Sequence, residues 1–159
     1  MPADKTEFLD FLAFSSTVTG FTNFELSGTG QAELYFSTVI DVVGKATVSQ
    51  LLQAYRGVRA QAGEDHAASD ALLCTEILSH DKLGPIARNI IKLWFVGTWY
   101  QLPHEWREAF GARDKDTTFV ASPIAYTEGL LWPTIGANPS GAKGPGYGTW
   151  ATPPRIPSI

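Results

Sequence analysis

The chain of 159 residues is short of charge, because only 18% of its residues are charged while 44% are hydrophobic. A typical soluble domain has roughly 25% charged residues. The 12 basic residues are fewer than the 16 acidic ones and are scattered along the chain, which argues against nucleic-acid binding. The length suits one domain with a core of its own. So few charged side chains predict that part of the surface is covered in the cell.

Cysteine is also scarce, and the single Cys74 excludes an internal disulfide and a cysteine-rich metal site. It lies in the apolar helical stretch ALLCTEIL, which favours a buried thiol, with an intermolecular disulfide as the alternative. No apolar run reaches the roughly 20 residues of a membrane span. No signal peptide is visible at the start of the sequence, so a mature form is expected.

Apolar residues recur at helical spacing through the first two thirds of the chain and predict an all-α fold, a small helical bundle of about five helices. The predicted helices cover about 5–18, from Ser27 or Thr29 to Gly44, from Thr47 to Tyr55, about 66–79, and from Pro85 to Pro103. The stretches predicted as connections or surface loops are 21–26, 56–64 and 104–115. The helix that begins near Pro85 is apolar on nearly all sides, which indicates a central helix or one covered by a partner.

Residues 1–121 are therefore assigned to a helical domain and residues 122–159 to an extended C-terminal arm. Most of the ten prolines lie in this arm, which holds few charges. A helix or strand does not accommodate so many Pro and Gly residues, and a disordered linker would have fewer aromatics. The Trp and Tyr side chains predict that the arm lies on a partner protein or, as the alternative, on the chain's own bundle.

No segment of the sequence matches a catalytic or metal-binding motif. HEWRE at 104–108 lacks the second histidine of HExxH, and GAKGPGYG at 141–148 lacks the Lys-Ser/Thr ending of a phosphate-binding loop. Asp114 and Asp116 are expected on a solvated loop. We therefore predict no catalytic, cofactor-binding or metal-binding residue in this chain, and a free-standing helical enzyme is the alternative.

Three segments carry a family resemblance when they are taken together. FLAFSSTVTGF at 11–21 is similar to the pattern FxxLSxxLTGF, and NIIKLWFVGTWYQLP at 89–103 is followed by FVASPIAYTEGLLWPTIGANPSGAKGPGYGTWATPP at 119–154. The combination resembles the small (gamma) subunits of bacterial membrane-associated, FAD-dependent sugar and polyol dehydrogenases, which include the sorbitol, fructose and glucose dehydrogenase complexes.

The resemblance implies a helical subunit without catalytic residues or a cofactor of its own. Its partner would be a large catalytic subunit of the glucose–methanol–choline type, which holds FAD and, in many complexes, an iron–sulfur cluster. A multihaem cytochrome c subunit accepts the electrons in many of these complexes. The expected location is the periplasm, at the inner membrane through the partner subunits, after twin-arginine export of the large subunit together with the small one. A transient assembly or export chaperone that leaves the complex is the alternative.

The resemblance also suggests which side chains meet the partner. The expected partner-binding residues are Trp94, Trp99, Tyr126, Trp132, Tyr147, Trp150, Pro153 and Pro154. Some relatives carry a cysteine in the segment that corresponds to SPIAYTEG and can bond to the large subunit through it. Ala125 and Tyr126 stand there in this chain, so no disulfide is expected at that point.

Overall fold

The fold is mostly helical, as the sequence predicts, but it contains more helical segments than the five expected. The computed structural model describes residues 2–139, of which 71% are helical and 3% are in strands. In chain order the elements are α1 (Pro2–Thr19), α2 (Asn23–Gly28), α3 (Ala32–Val43), α4 (Lys45–Ala62), α5 (His66–Leu73) with a π-helical turn (Cys74–Leu78), α6 (Leu83–Val96), β1 (Thr98–Trp99), α7 (His104–Phe110), β2 (Phe119–Val120), α8 (Pro123–Thr127) and α9 (Leu131–Ile135).

The core lies where α1, α3, α4 and α6 pack against one another, and an aromatic cluster occupies part of it. Trp94 of α6 is 1% exposed and meets the ring of Tyr35 edge-on, with 4.9 Å between ring centroids. The ring of Phe11 stacks near the same indole at 6.5 Å. The apolar faces of three helices therefore meet at Trp94, so α6 is a central helix, the first of the two alternatives that its sequence allows.

The glycine at position 44 ends α3, as predicted, but α4 begins directly after it rather than at Thr47. The predicted loop over 56–64 is wrong in most of its length, because α4 continues to Ala62. Val58 and Ala62 are buried and extend the inward face of Tyr55 at helical spacing. The small and charged residues that suggested a loop lie on the outer side of this same helix.

The segment 21–26, predicted as a connection, contains the short helix α2. Thr22 and Glu25 form a capping box: the Thr22 side chain accepts a hydrogen bond from Glu25 N (3.1 Å), and the Glu25 carboxylate accepts one from Thr22 N (2.8 Å). Leu26 is fully buried and fastens the helix to the core. The cap at the first turn and one anchor side chain are enough to hold this helix in place.

Helix α6 ends at Gly97 rather than at Pro103, and the chain then enters a short antiparallel ribbon. In this ribbon Thr98 pairs with Val120 and Trp99 pairs with Phe119. The ribbon connects the end of α6 to the start of the C-terminal segment. It therefore brings together two segments of the chain that are 20 residues apart in sequence.

The stretch predicted as a charged surface loop, 104–115, holds the helix α7. Trp106 is buried, and its Nε1 donates a hydrogen bond to the carbonyl of Lys82 at 2.8 Å. Asp116, expected on a solvated loop, is only 2% exposed. Its Oδ1 accepts hydrogen bonds from Trp99 Nε1 and Leu102 N, both at 3.1 Å, and Arg107 Nε lies 3.2 Å from its Oδ2. The carboxylate is buried because these donors replace water.

Residues 123–127 and 131–135 are helical, so the extended conformation predicted for the arm is wrong there. Ser122 caps α8 by accepting a hydrogen bond from Ala125 N at 3.0 Å, and Pro123 takes the first helical position. Ala125 and Leu130 are buried in the common core, so this part of the arm packs on the chain's own body. Tyr147, Trp150, Pro153 and Pro154 lie outside the described residues.

The thiol of Cys74 is exposed rather than buried, which corrects the expectation for that residue. The inward face of this segment passes through Leu73 and Ile77, and Cys74 lies at the start of the π-helical turn on the solvent side. Over residues 2–139, no helix is both long and apolar enough to cross a membrane.

Candidate partner-binding surface

The C-terminal segment is tied to the end of α6 by backbone hydrogen bonds. Ala121 N donates to the carbonyl of Gly97 at 2.9 Å, and Leu130 N donates to the carbonyl of Trp94 at 3.0 Å. On the other side, Ser122 Oγ donates to Gln31 Oε1 at 3.1 Å. The segment 121–130 is therefore a fixed part of the surface.

Two glycines allow this close approach. Gly97 has φ +68°, a conformation that favours glycine, and a Cβ built there would lie 2.6 Å from the carbonyl oxygen of Ala125. A Cβ built on Gly129 would lie 2.6 Å from the carbonyl oxygen of Phe95. Both distances are shorter than any tolerated contact, so each position requires the absence of a side chain.

A groove with a volume of about 420 Å³ lies between α2 and the α8–α9 segment, and we call it the α2/α9 groove. The residues that line it are Phe21, Glu25, Gly28, Thr29, Thr127, Glu128, Gly129, Leu130, Trp132, Pro133, Ala137, Asn138 and Pro139. Most of these are apolar or small. Phe21, one of these lining residues, packs edge-on against Phe95 of α6, with 6.2 Å between the ring centroids.

Two of the residues predicted to contact a partner lie together beside this groove. The rings of Tyr126 and Trp132 meet edge-on with 5.5 Å between centroids, and Trp132 Nε1 donates to the carbonyl of Tyr126 at 2.8 Å. Tyr126 is 43% exposed. The pair is thus rigid and still offers apolar surface, as an interface anchor requires.

The other two predicted contact residues within the described part of the chain lie elsewhere. Trp94 and Trp99 are both inside the core, and Trp99 is additionally held by Asp116. The sequence groups these indoles with the surface aromatics because a helix that is apolar on nearly all sides is expected to be buried. The pattern does not indicate whether a partner or the chain's own elements bury it. In the structure the chain's own elements provide it.

Large apolar side chains are exposed on the three helices that flank the groove. Phe24, on α2, is 87% exposed, and Ile124 and Ile135, on α8 and α9, are each 59% exposed. Sequence reasoning missed Phe24 because it assigned 21–26 to a connection. The signal that would have found it is the Thr22–Glu25 spacing, which is the capping-box pattern.

Two carboxylates lie among these apolar side chains. Glu25 and Glu128 both line the α2/α9 groove. The negative charge of Glu128 also acts on Tyr35, whose pKa is raised above its ordinary value, first by burial of the phenol and second by this charge. The groove therefore combines apolar side chains with two acidic ones.

The raised pKa of Tyr35 predicts a loss of stability at alkaline pH. The folded state holds the phenol proton more tightly than the unfolded state. The contribution of Tyr35 to the free energy of unfolding is therefore complete below about pH 10 and is lost as the pH rises beyond it. We expect the free energy of unfolding, measured with urea at about pH 9, 10 and 11, to fall more steeply for the native chain than for Tyr35→Phe. Parallel curves for the two proteins would contradict this assignment.

Within residues 2–139, no three His, Cys, Asp or Glu side chains are grouped so as to hold a metal ion. Comparison with protein-family models, curated proteins and solved structures gives no match.

Proposed function

We propose that this chain is a non-catalytic small subunit of a heteromeric FAD-dependent dehydrogenase that acts on sugars, polyols or other alcohols. In this proposal the chain stabilises the large flavoprotein subunit and helps to export it to the periplasm. FAD, and in many such complexes an iron–sulfur cluster, belongs to the large subunit. A multihaem cytochrome c subunit is a further proposed partner.

The observation that carries the proposal is that the three resemblance segments pack together beside one groove. The first segment ends at Phe21, which packs on Phe95 of the second. The third contributes Gly129, which touches the carbonyl of Phe95, and Trp132, which lines the groove. Three segments that are far apart in the sequence thus meet in one region of the fold, which supports a shared binding function.

The composition of that surface supports a lasting interface. Interface cores are apolar and rich in aromatic residues, and a few such residues supply most of the binding energy. The helices that flank the groove expose Phe24, Ile124, Tyr126 and Ile135. Covering these side chains removes apolar area from water, which favours association in proportion to the area covered.

The proposal is tested by purifying the affinity-tagged chain from its native host and measuring dye-linked dehydrogenase activity on a panel of sugars and polyols. We expect activity to co-purify and to remain bound through washes in roughly 1 M NaCl, where charges are screened beyond about 3 Å. Activity that is absent from the purified chain, or that leaves in the first wash, would contradict a permanent subunit and favour the transient chaperone.

Replacing Tyr126 by alanine is expected to weaken association with the large subunit by roughly 1–3 kcal/mol, because it removes an exposed ring fixed against Trp132. The matched control is Tyr100→Ala, since Tyr100 is exposed to a similar extent (40% against 43%) and lies outside the helices that flank the groove. Titration of the two variants with the large subunit measures the difference. Equal losses for both would show that Tyr126 is not an anchor.

A further inference from the structure

We propose that the α2/α9 groove is filled by the chain's own C-terminal tail, residues 140–159, and that Tyr147 and Trp150 supply the contact. The sequence leaves open whether these aromatics lie on a partner or on the chain's own bundle, and the course of the chain up to Pro139 favours the second. The inference concerns this chain alone, so it does not depend on the partner proposed above.

A hydrogen-bonded turn sets the direction in which the chain leaves α9. Gly136 takes the left-handed conformation, with φ +69°. Ala137 N donates to the carbonyl of Trp132 at 2.9 Å, and Gly136 N donates to the carbonyl of Pro133 at 3.2 Å. These two bonds form a Schellman motif, which ends a helix in a defined geometry. The exit of the chain from α9 is therefore fixed by its backbone.

The chain reaches its last described residue in the groove. Ala137, Asn138 and Pro139 all line it, and Pro139 is buried although residues 133–138 are exposed. The tail is therefore attached at the groove itself. Because an extended chain covers up to about 3.5 Å per residue, the ring of Tyr147 can reach every wall of a groove of about 420 Å³.

Attachment at the groove favours the tail over any other occupant. A tethered segment meets its site intramolecularly, at an effective concentration in the millimolar range when the link is short and flexible. A segment of a partner or of a second copy has to compete with it from solution. Even a weak apolar contact therefore suffices to fill the groove with the tail.

The groove and the tail match in their chemistry. Most lining residues are apolar or small, and a Cβ built on Gly28 meets no described atom within 4 Å, which leaves space beside α2 for a ring. Tyr147 and Trp150 are the aromatic residues of the tail, and aromatic rings bury a large apolar area for each side chain. With the tail in place, a partner meets a surface that α2, α8, α9 and the tail form together.

The occupant is identified in the full-length chain by photo-cross-linking from the wall of the groove. A benzophenone maleimide is attached to Gly28→Cys in a Cys74→Ser background and, as a control, to the exposed native Cys74. Trypsin cuts after Lys143 and Arg155 and so releases 144–155, which contains both aromatics. We expect position 28 to cross-link to this peptide within one monomer, and Cys74 not to. Cross-linked dimers, or a product of position 28 without tail residues, would overturn the proposal.

A second measurement follows the reactivity of the thiol at position 28 toward a small reagent. We expect Tyr147→Ala and Trp150→Ala each to raise the rate of modification about tenfold, because truncation of an aromatic anchor releases the segment that it holds. Lys143→Ala is the control in the same tail and should leave the rate unchanged, since the contact is apolar. A rate that neither aromatic substitution raises, or that Lys143→Ala raises equally, would overturn the proposal.

Discussion

Asp116→Ala is expected to lower the free energy of unfolding by about 3 kcal/mol, because it leaves a partly buried charge and two buried donors without their acceptor. Trp99 Nε1 and Leu102 N both donate to this carboxylate, and Arg107 lies 3.2 Å from it. This loss is at the low end of the range for breaking a buried ion pair, because the Arg107 side chain is 30% exposed. The loss should loosen the ribbon and α7 together.

The matched control for this substitution is Asp114→Ala, two residues away and exposed. Its expected effect is within about 0.5 kcal/mol. Urea unfolding followed by tryptophan fluorescence measures both variants, and Asp116→Asn separates charge from hydrogen bonding. An Asp116→Ala variant as stable as Asp114→Ala would show that the buried carboxylate does not hold this region together.

Gly97→Ala is expected to lower the free energy of unfolding by about 2–5 kcal/mol, because backbone strain and a steric clash add. The residue has φ +68°, and its new Cβ would lie 2.6 Å from the carbonyl oxygen and 2.9 Å from the Cβ of Ala125. Relief of this clash requires α8 to move away from α6. The substitution should therefore also disturb the α2/α9 groove.

Gly136→Ala is the control that isolates the backbone strain. Gly136 has φ +69° and ψ 25°, close to the φ +68° and ψ 16° of Gly97, but a Cβ there meets nothing within 4 Å. We expect it to cost about 1–2 kcal/mol. Thermal and urea unfolding of the two variants give the difference, which measures the close approach of α8. Equal losses would mean that α8 does not pack on Gly97 as described.

The sequence predicts the helical class and several boundaries because these depend on local signals. Gly44 ends α3 as expected, and the apolar faces of α6 follow from helical periodicity. The parts that were wrong depend on distant partners. Asp116 is buried because Trp99, Leu102 and Arg107 come to it from elsewhere in the chain, and no local pattern reports that.

The candidate surface was predictable only in part. Tyr126 and Trp132 stand out as aromatics among prolines and glycines, and the structure places them together beside the groove. Phe24 was missed because a helix of six residues has too few turns for a periodic signal. Trp94 and Trp99 are predicted as partner contacts, but both are buried in the chain's own core. A sequence rich in aromatics does not distinguish burial within the chain from burial at an interface.

Because residues 123–135 are folded onto the body of the chain, a truncation that removes them would not test partner binding alone. Ala125 and Leu130 belong to the core, so removing residues from 123 onward would expose buried apolar surface and destabilise the body. Point substitutions on the outer side of α8 and α9 therefore test binding more cleanly than deletion of the whole segment.

Size-exclusion chromatography with full-spectrum absorbance, on the chain produced together with the proteins encoded beside it, tests the central claim most directly. We predict co-elution with a larger protein that shows flavin bands near about 380 and 450 nm, as a bound flavin does. Tyr126→Ala should reduce the co-eluting flavin, while Tyr100→Ala should not. A colourless, monodisperse monomer would contradict the account of this chain as a permanent subunit of a flavoprotein dehydrogenase.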